Sequence, residues 1–386
     1  MPLIIGMGMG LGFGGRPDAY SFTSSNPITI TRASAAWATN SVGNVQAFTS
    51  GQMRQTDRGL HIGQAATRLH GEFPANGFNA STTQTVLPAE GVFNPTRVAS
   101  TGDTWNRWQT GNVAVTSGVL YYWRARIREG TSGRARITWR ANSTESLVTG
   151  TFGSLAVTAS AAGTMTIASN TLLPNGDREL VGTVLANATV ANASLGIGPD
   201  SATIGEDVTV VGAQVTSEWS DWIMTGASTL AVAADDVRLD LTGVDMSAGL
   251  MIRIDGELPN VPTSGFDRFY QANDPLLPAN RASCYVVGSS GAVTNDSYAA
   301  GVDQGFSNLG TATAGQFSLV GAHGPNYIGG AWNGVVATPD TVASYVTPTR
   351  LSIGSAVGTN VLPIIARRIT LVPGAPTTAT VTELAA

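Results

Sequence analysis

The feature that most constrains the fold of this chain is the pattern of its short apolar runs. From about residue 93 onward, alternating apolar and polar residues are interrupted by Gly, Asn, Pro and Ser every 8–12 residues or so, at about the spacing of strands and turns in all-β domains. Clear examples are Gly118–Arg128, Arg134–Ala141 and Asp207–Val215. A period of two is that of a half-buried strand, and regular turns are typical of sandwiches. No amphipathic stretch has helical length, so the sequence predicts an all-β fold.

Composition narrows the class of protein. The chain has 386 residues, of which 42% are hydrophobic and only 12% charged, which indicates a globular chain and not a disordered one. Its net charge is −5 with a pI near 5.2, which argues against nucleic acid as a partner. All 21 basic residues are arginine. Because Cys284 is the single cysteine, no intrachain disulfide can form.

The N-terminal residues 1–17 form a distinct segment rich in glycine. They lack the basic region and cleavage site of a signal peptide and are too short to cross a bilayer, so we expect synthesis in the cytoplasm and no membrane insertion. Large apolar residues alternate here with glycine, which would give a strand one apolar face and one bare face that can approach another backbone closely. We interpret the segment as an anchoring arm, with a flexible tail as the alternative. The anchoring side chains would be Met7, Met9, Leu11 and Phe13.

Two longer stretches resemble segments of a known family. They are PITITRASAAWATNSVGNVQ, from Pro27 to Gln46, and TVVGAQVTSEWSDWIMTGASTLAVAADDVRLDL, from Thr209 to Leu241. Both resemble motifs of virion proteins of tailed phages or phage-like gene transfer particles, in which a TRAS-type segment opens the protein and a GAQV-type segment closes a central β-domain. The order and spacing of the two motifs match.

This resemblance implies a division of the chain into four parts. An arm at residues 1–17 is followed by an extended N-terminal β segment at 18–92. A jelly-roll domain like a carbohydrate-binding module would span 93–241, and a concanavalin A/laminin-G-like sandwich with a short terminal helix would span 242–386. The fold class is therefore an N-terminal arm followed by two β-sandwich domains.

Six arginines stand out in the central domain. In LYYWRARIR, Tyr122 and three arginines share one face, and after a Gly-rich turn RARITWRA repeats the arrangement. If the two strands form a hairpin, all six arginines line one outer face, where like charges destabilise a sheet. An anion is then expected, from acidic residues of another subunit or domain, from an acidic polysaccharide, or from counterions. The arginines are Arg124, Arg126, Arg128, Arg134, Arg136 and Arg140.

Aromatic residues are the second signal, because sugar rings stack on exposed aromatic side chains. Trp105 and Trp108 lie in a polar stretch and fit either a sugar platform or the core, whereas Trp219 and Trp222 belong to the second motif and are interpreted as structural. The stretch HGPNYIGGAWNG has the composition of a binding loop. Its candidate ligand-binding residues are His323, Asn326, Tyr327 and Trp332.

Support for catalysis is weak. The sequence contains no G-x-S-x-G motif, and its three histidines lack metal-ligand spacing, so neither a cofactor nor a catalytic metal is predicted. Asp255 and Glu257 could form a glycosidase pair, but a solvated edge or a salt bridge to Arg253 is the simpler interpretation. A calcium site is a further hypothesis, with candidate ligands Asp235, Asp236 and Asp240.

These observations predict a non-catalytic virion appendage, a tail fibre, spike or head fibre, that attaches to host cell-surface polysaccharide. The expected partners are other copies of the chain, as a trimer or alternatively a pentamer, and other virion proteins bound through the arm. Two alternatives remain open, a purely structural or decoration protein and a polysaccharide depolymerase. The candidate glycan contacts in the central domain are Trp105, Trp108, Tyr122, Arg124, Arg126 and Arg136.

Overall fold

A computed structural model describes residues 3–5, 28–70, 83–103, 106–224, 230–341, 343–356 and 360–386. The predicted anchoring side chains Met7, Met9, Leu11 and Phe13, and also Trp105, lie outside the described residues. Over the described residues the chain is almost entirely β-strand with one short helix, α1 (Thr378–Ala385), which confirms the all-β prediction. No helix in this part of the chain is long and apolar enough to span a bilayer.

The strands are short and follow one another closely along the chain. They are β1 (Leu3–Ile5), β2 (Ile28–Thr31), β3 (Ala36–Thr39), β4 (Val45–Phe48), β5 (Gln55–Thr56), β6 (Gly59–Ile62), β7 (Ala66–Arg68), β8 (Thr83–Val86), β9 (Thr96–Ala99), β10 (Trp108–Gln109), β11 (Val113–Val115), β12 (Leu120–Glu129), β13 (Arg134–Ala141), β14 (Thr144–Thr151), β15 (Ala156–Ser160), β16 (Gly163–Leu172), β17 (Asp177–Ala186), β18 (Val190–Pro199), β19 (Asp207–Thr216), β20 (Leu230–Val232), β21 (Asp236–Asp240), β22 (Leu250–Leu258), β23 (Phe266–Asp274), β24 (Leu277–Val287), β25 (Ala292–Ala299), β26 (Val302–Thr311), β27 (Gly315–Gly324), β28 (Tyr327–Trp332), β29 (Val335–Val336), β30 (Arg350–Ile353) and β31 (Ile364–Pro373).

The described residues fall into two compact units, neither of which is continuous in sequence. Unit 1 takes in those of Met1–Ala35, Phe48–Gln64 and Ala233–Ala386, and unit 2 those of Ala36–Ala47 and Ala65–Val232. The stretch 18–92, predicted as a separate segment, contributes strands to both units. The chain returns to unit 1 at Ala233, before the predicted boundary at 241/242.

Unit 2 is a sandwich of two antiparallel sheets. One has the order β10-β18-β13-β14-β15, with β11 also beside β18, and the other has the order β16-β17-β12-β19-β7-β20, with β9 and β8 continuing from β19. Large side chains from both sheets meet in one buried core. They include Trp123, Ile127, Trp139, Leu180 and Leu195, all 1% exposed or less.

The two arginine-bearing strands of unit 2 do not form the predicted hairpin. β12 pairs with β17 and β19, whereas β13 pairs with β14 and β18 in the other sheet. The turn between β12 and β13 therefore connects the two sheets. Trp123 and Trp139 bury their rings in the shared core from opposite sheets. The predicted apolar faces are confirmed, but the six arginines lie on the outer faces of two different sheets.

Unit 1 is also built from two antiparallel sheets around one core. The first sheet has the order β29-β28-β27-β22-β31-β6-β5, with β1 also beside β31, and the second has the order β2-β21-β30-β23-β24-β25-β26. The core includes Phe269, and Phe317 stacks on Trp332 at 5.5 Å and 11°. The helix α1 buries Val381 against the outside of the first sheet, and its first turn is capped by Thr377 and Thr380.

The two motif segments meet in unit 1 as the paired strands β2 and β21, and a buried carboxylate next to this pairing joins them further. Asp235, at the end of the second motif, accepts a hydrogen bond from Arg32 of the first motif, Nη1 to Oδ1 at 2.7 Å. Its Oδ2 accepts bonds from Arg54 and from the backbone N–H of Gly63. Arg32 also donates to the backbone oxygens of Ser34, Thr49 and Gln52, so this cluster ties three distant stretches of the chain together.

The second motif also organises a turn within unit 2. The side chain of Gln214 donates to the carbonyl of Asp221 at 3.0 Å and accepts from the N–H of Ile223 at 2.9 Å. These two bonds hold the segment that carries Trp219 and Trp222 in place. Both tryptophans are buried, 6% and 2% exposed, as the structural interpretation predicted.

Candidate functional site

Two of the three arginines of β12 are internal structural groups. Arg124 is 5% and Arg126 2% exposed, and Tyr122 on the same face is 9% exposed. Glu179 lies directly opposite Arg126 in the β12–β17 ladder. It accepts from Arg124 at 3.0 Å, from Arg126 at 2.7 Å and from the indole N–H of Trp222 at 2.9 Å. The predicted need for an external anion is therefore wrong here, because β17 supplies the carboxylate.

The electrostatics of this cluster agree with its geometry. Burial alone raises the pKa of Glu179, but the charges of Arg124 and Arg126 outweigh it, so the pKa of that carboxyl lies below its ordinary value. The Arg126 guanidinium also lies 4.8 Å from the centre of the Phe93 ring. The cluster thus combines ion pairs with cation–π contacts in a site closed to solvent.

The other arginines of the predicted charged face also have partners in unit 2. Arg128 contacts Glu90 and Asp177 at 2.6 and 2.7 Å. On the other sheet, Arg134 pairs with Asp200 at 2.6 Å, and Arg136 lies 3.8 Å from Glu145. Arg140 donates to the backbone carbonyl of Asn142. Consequently these arginines give no reason to expect a charged neighbouring subunit.

The tryptophan and loop candidates are mostly buried. Trp108 belongs to the core of unit 2, as its core interpretation predicted. HGPNYIGGAWNG is not a surface loop but the β27–β28 hairpin, whose two sides are covered by the core and by α1. Trp332 and Tyr327 are 5% and 8% exposed, and among the four predicted ligand residues only Asn326, at the turn, is exposed.

His323 is fully buried and acts as a link between the two sheets of unit 1. Its Nε2 lies 2.7 Å from the hydroxyl of Tyr270, and its Nδ1 lies 3.0 Å from the hydroxyl of Ser297. Gly321 makes room for the Tyr270 hydroxyl, which would lie 1.8 Å from any Cβ at that position. Burial lowers the pKa of His323 to about 3, so the ring is neutral in the folded protein.

This histidine predicts a loss of stability in acid. Between about pH 6.5 and pH 3 the unfolded chain binds a proton at His323 that the folded chain does not, so stability falls as pH falls, by at most about 1.4 kcal/mol per pH unit. Urea unfolding at several pH values should show this slope, and His323→Gln should reduce it while lowering stability overall. An unchanged slope in the variant would contradict the assignment.

Most of the carboxylates considered for catalysis or metal binding are engaged in ion pairs, whereas the exposed Asp240 accepts from the backbone N–H of Thr242. Asp255 accepts from Arg253 at 3.0 Å, as the simpler interpretation predicted, and Glu257 accepts from Arg58 at 2.6 Å. Asp235 is held by two arginines. Within the described ranges, no group of three or more His, Cys, Asp or Glu residues could hold a metal ion.

A different surface has the chemistry of a binding site. In β24 the sequence RASCYVV points Ala282, Cys284 and Val286 into the core of unit 1, so the residues between them face outward from the second sheet. Residues paired across the neighbouring strands lie on this same side. We call this surface the aromatic face, and it comprises Phe266, Arg268, Arg281, Ser283, Tyr285, Asp296, Tyr298 and Phe306.

Rings and guanidinium groups alternate on the aromatic face. Arg281 lies 3.7 Å from the ring centre of Tyr298, and Arg268 lies 5.9 Å from that of Tyr285. Phe266 packs edge-on against Tyr285 at 5.6 Å and 85°. Phe266 and Phe306 remain 54% and 62% exposed, so both rings are open to solvent.

A carboxyl group lies at the floor of the aromatic face. Asp296 is 5% exposed, accepts a hydrogen bond from Ser283 and is paired in the ladder with Phe306. Burial and the nearby Asp303 raise its pKa, although Ser283, Arg281 and Arg268 act in the opposite direction. None of the sequence predictions covers this face, because it is marked by polar and aromatic residues that alternate along strands and not by a tryptophan-rich loop.

Comparisons with known proteins give distant likenesses. No family model matches, and no curated protein matches. One similar solved structure is domain 4 of AbnA, a GH43 extracellular arabinanase from Geobacillus stearothermophilus, in complex with arabinotriose, with 19% identity over 41% of this chain and 77% of that chain and a TM-score of 0.29. Another is domains LG4-5 of the mouse laminin alpha1 chain, with 13% identity over 78% of this chain and 91% of that chain and a TM-score of 0.22.

Proposed function

We propose that this protein binds glycans without catalysis and that the aromatic face of unit 1 is its binding surface. The observation that carries the proposal is that two exposed rings, Phe266 on β23 and Phe306 on β26, lie on the same sheet face as a buried carboxyl and two arginines, although β24 and β25 separate the two rings. Sugar rings stack their apolar C–H faces on aromatic side chains, while convergent polar groups bind the hydroxyls. Arg268, Arg281 and Asp296 supply those polar groups.

We further propose that the glycan belongs to a host cell surface and that the protein is a virion appendage. This step is supported by the resemblance of the two motif segments to phage virion proteins. In unit 1 these segments are joined by the β2–β21 pairing and by the contact between Arg32 and Asp235. The arm at residues 1–17 would join other virion proteins. A homo-oligomer, a trimer in the first instance, would display several weak sites together and raise avidity by about 10²–10⁴.

The aromatic face predicts a specific loss of glycan binding. On a glycan array, Phe306→Ala should weaken binding of the recognised oligosaccharide by about two- to twelvefold, which corresponds to the roughly 0.5–1.5 kcal/mol of one aromatic contact. Val335→Ala is the matched control, because Val335 is 68% exposed on the other sheet of unit 1. Equal affinity of Phe306→Ala and the native chain would rule out the face.

The same purified protein can be used to distinguish glycan binding from the two alternative functions. A purely structural protein would bind no glycan on the array, whereas a depolymerase would release reducing sugar from host capsule over time. We expect saturable binding and no release of sugar.

A further inference from the structure

The two sheets of unit 2 both end in an unpaired strand on one side of the sandwich. Over the described residues, β15 pairs with β14 alone and β16 pairs with β17 alone. The two strands are consecutive and are joined by Ala161 and Ala162, so their open edges lie side by side. On these edges neither strand makes a backbone–backbone hydrogen bond with a described residue. Unpaired N–H and C=O groups of this kind can pair with a strand of another chain.

This side of unit 2 lacks the charged residues that usually protect an exposed edge. Residues 146–176, which include β15, β16 and most of β14, contain no Asp, Glu, Lys, Arg or His, although 12% of the chain is charged. Edge strands are commonly blocked by lysine, by proline or by a bulge. Neither β15 nor β16 contains proline, and the bulge between Ile167 and Ser169 leaves residues 163–167 in regular register. The first half of β16 is therefore open to pairing.

The surface along these strands is apolar and rich in hydroxyl groups. Leu172 and Val157 are 59% and 38% exposed, and Leu185, paired with Thr164 in the β16–β17 ladder, is 43% exposed. Low charge is typical of the buried centre of protein–protein interfaces, and hydroxyl side chains stabilise adjacent strands by cross-strand hydrogen bonds. We call this surface the uncharged edge, and it comprises β15, β16 and Leu185. Its exposed hydroxyl residues include Thr158, Ser160, Thr164, Thr166, Ser169 and Thr171.

We propose that copies of this chain associate through the uncharged edge, with β16 of one copy paired to an edge strand of a second copy. Because the net charge is −5, two copies repel each other where acidic surfaces meet, and this repulsion is lowest on a surface without charge. A strongly charged partner would find no complementary charge here. The inference rests on the proposed homo-oligomer and locates its interface, whereas glycan binding at the aromatic face of unit 1 does not depend on it.

The test is the mass of the full chain, measured by size-exclusion chromatography with light scattering over a wide range of concentration. The native chain should form an oligomer of defined mass. The double variant Thr164→Lys, Ser169→Lys changes two exposed side chains that make no hydrogen bond with a described residue, so it should keep the fold. It should weaken association at least about tenfold, because pairing would bury the added charges. Ile204→Lys is the matched control, since Ile204 is 78% exposed between β18 and β19, outside the uncharged edge.

Hydrogen exchange of the native chain keeps the test decisive if the double variant fails to fold. The amides of β16 should exchange more slowly at high than at low protein concentration, whereas those of β8, also in unit 2, should not change. Three results would overturn the proposal: a native chain that is monomeric throughout, exchange of β16 that is independent of concentration, or a folded double variant with the native mass. In the last case the homo-oligomer stands and its interface lies elsewhere. Phe306→Ala should weaken glycan binding without changing the mass, so a failure of the glycan proposal is recognised separately.

Discussion

Replacing Asp235 by asparagine is expected to lower the free energy of unfolding by about 3–5 kcal/mol, because it leaves Arg32 and Arg54 buried without a negative partner. The asparagine has nearly the same shape, but its amide NH2 replaces one of the two accepting oxygens, so the effect combines the lost charge with the hydrogen bonds lost at that oxygen. Chemical unfolding followed by tryptophan fluorescence and circular dichroism would measure it. The loss should appear in the transition of unit 1, to which all three residues belong.

The matched control for this variant is Asp245→Asn. Asp245 lies in the same unit and also accepts hydrogen bonds from its neighbours, but it is exposed and contacts only Ser247. We expect no measurable change in its unfolding midpoint. If Asp235→Asn is as stable as the control, the two motif segments are not held together by this carboxylate.

The sequence alone predicts the strands and their buried faces but not how the strands are arranged. Period-two alternation correctly assigns Trp123 and Trp139 to the core, because side chains alternate strictly along a strand. Whether a short turn makes a hairpin or crosses between sheets depends on long-range pairing that no local pattern encodes. For that reason the partners of β12, which lie some 50 to 90 residues further along the chain, could not be predicted.

For related reasons, the sequence did not predict which candidate residues would be exposed to a ligand. A glycine- and asparagine-rich stretch predicts a turn, and the structure has one at Asn326, but His323 and Trp332 continue into strands that are covered on both sides. Conversely, the aromatic face gathers residues from four strands, β23 to β26, and its pattern is visible only once their register is known. Burial and register, rather than residue type, decide which aromatic residues can meet a ligand.

Glu179 is expected to be as important for unit 2 as Asp235 is for unit 1. Replacing it by glutamine leaves Arg126 buried without a carboxylate and leaves Arg124 with only Asp221, 3.9 Å away. It also removes the charged acceptor of the Trp222 indole, so we expect a loss of about 3–5 kcal/mol in the unfolding of unit 2. The same chemical unfolding experiment would measure this loss of stability. Glu218→Gln, outside this cluster, is the control and should cost much less.

A triple replacement separates the two interpretations of these arginines. If they formed an exposed patch for an acidic polysaccharide, changing Arg124, Arg126 and Arg136 to glutamine would reduce cell binding and leave the fold intact. Because two of the three are buried against Glu179, we expect the triple variant to be destabilised at least as strongly as Glu179→Gln. Adding Glu179→Gln to Arg126→Gln should cost less than the sum of the single changes, since the two residues share one contact. Strict additivity of the two single changes would contradict the contact between Arg126 and Glu179. A stable triple variant that binds cells poorly would indicate that these arginines form an exposed glycan-binding patch.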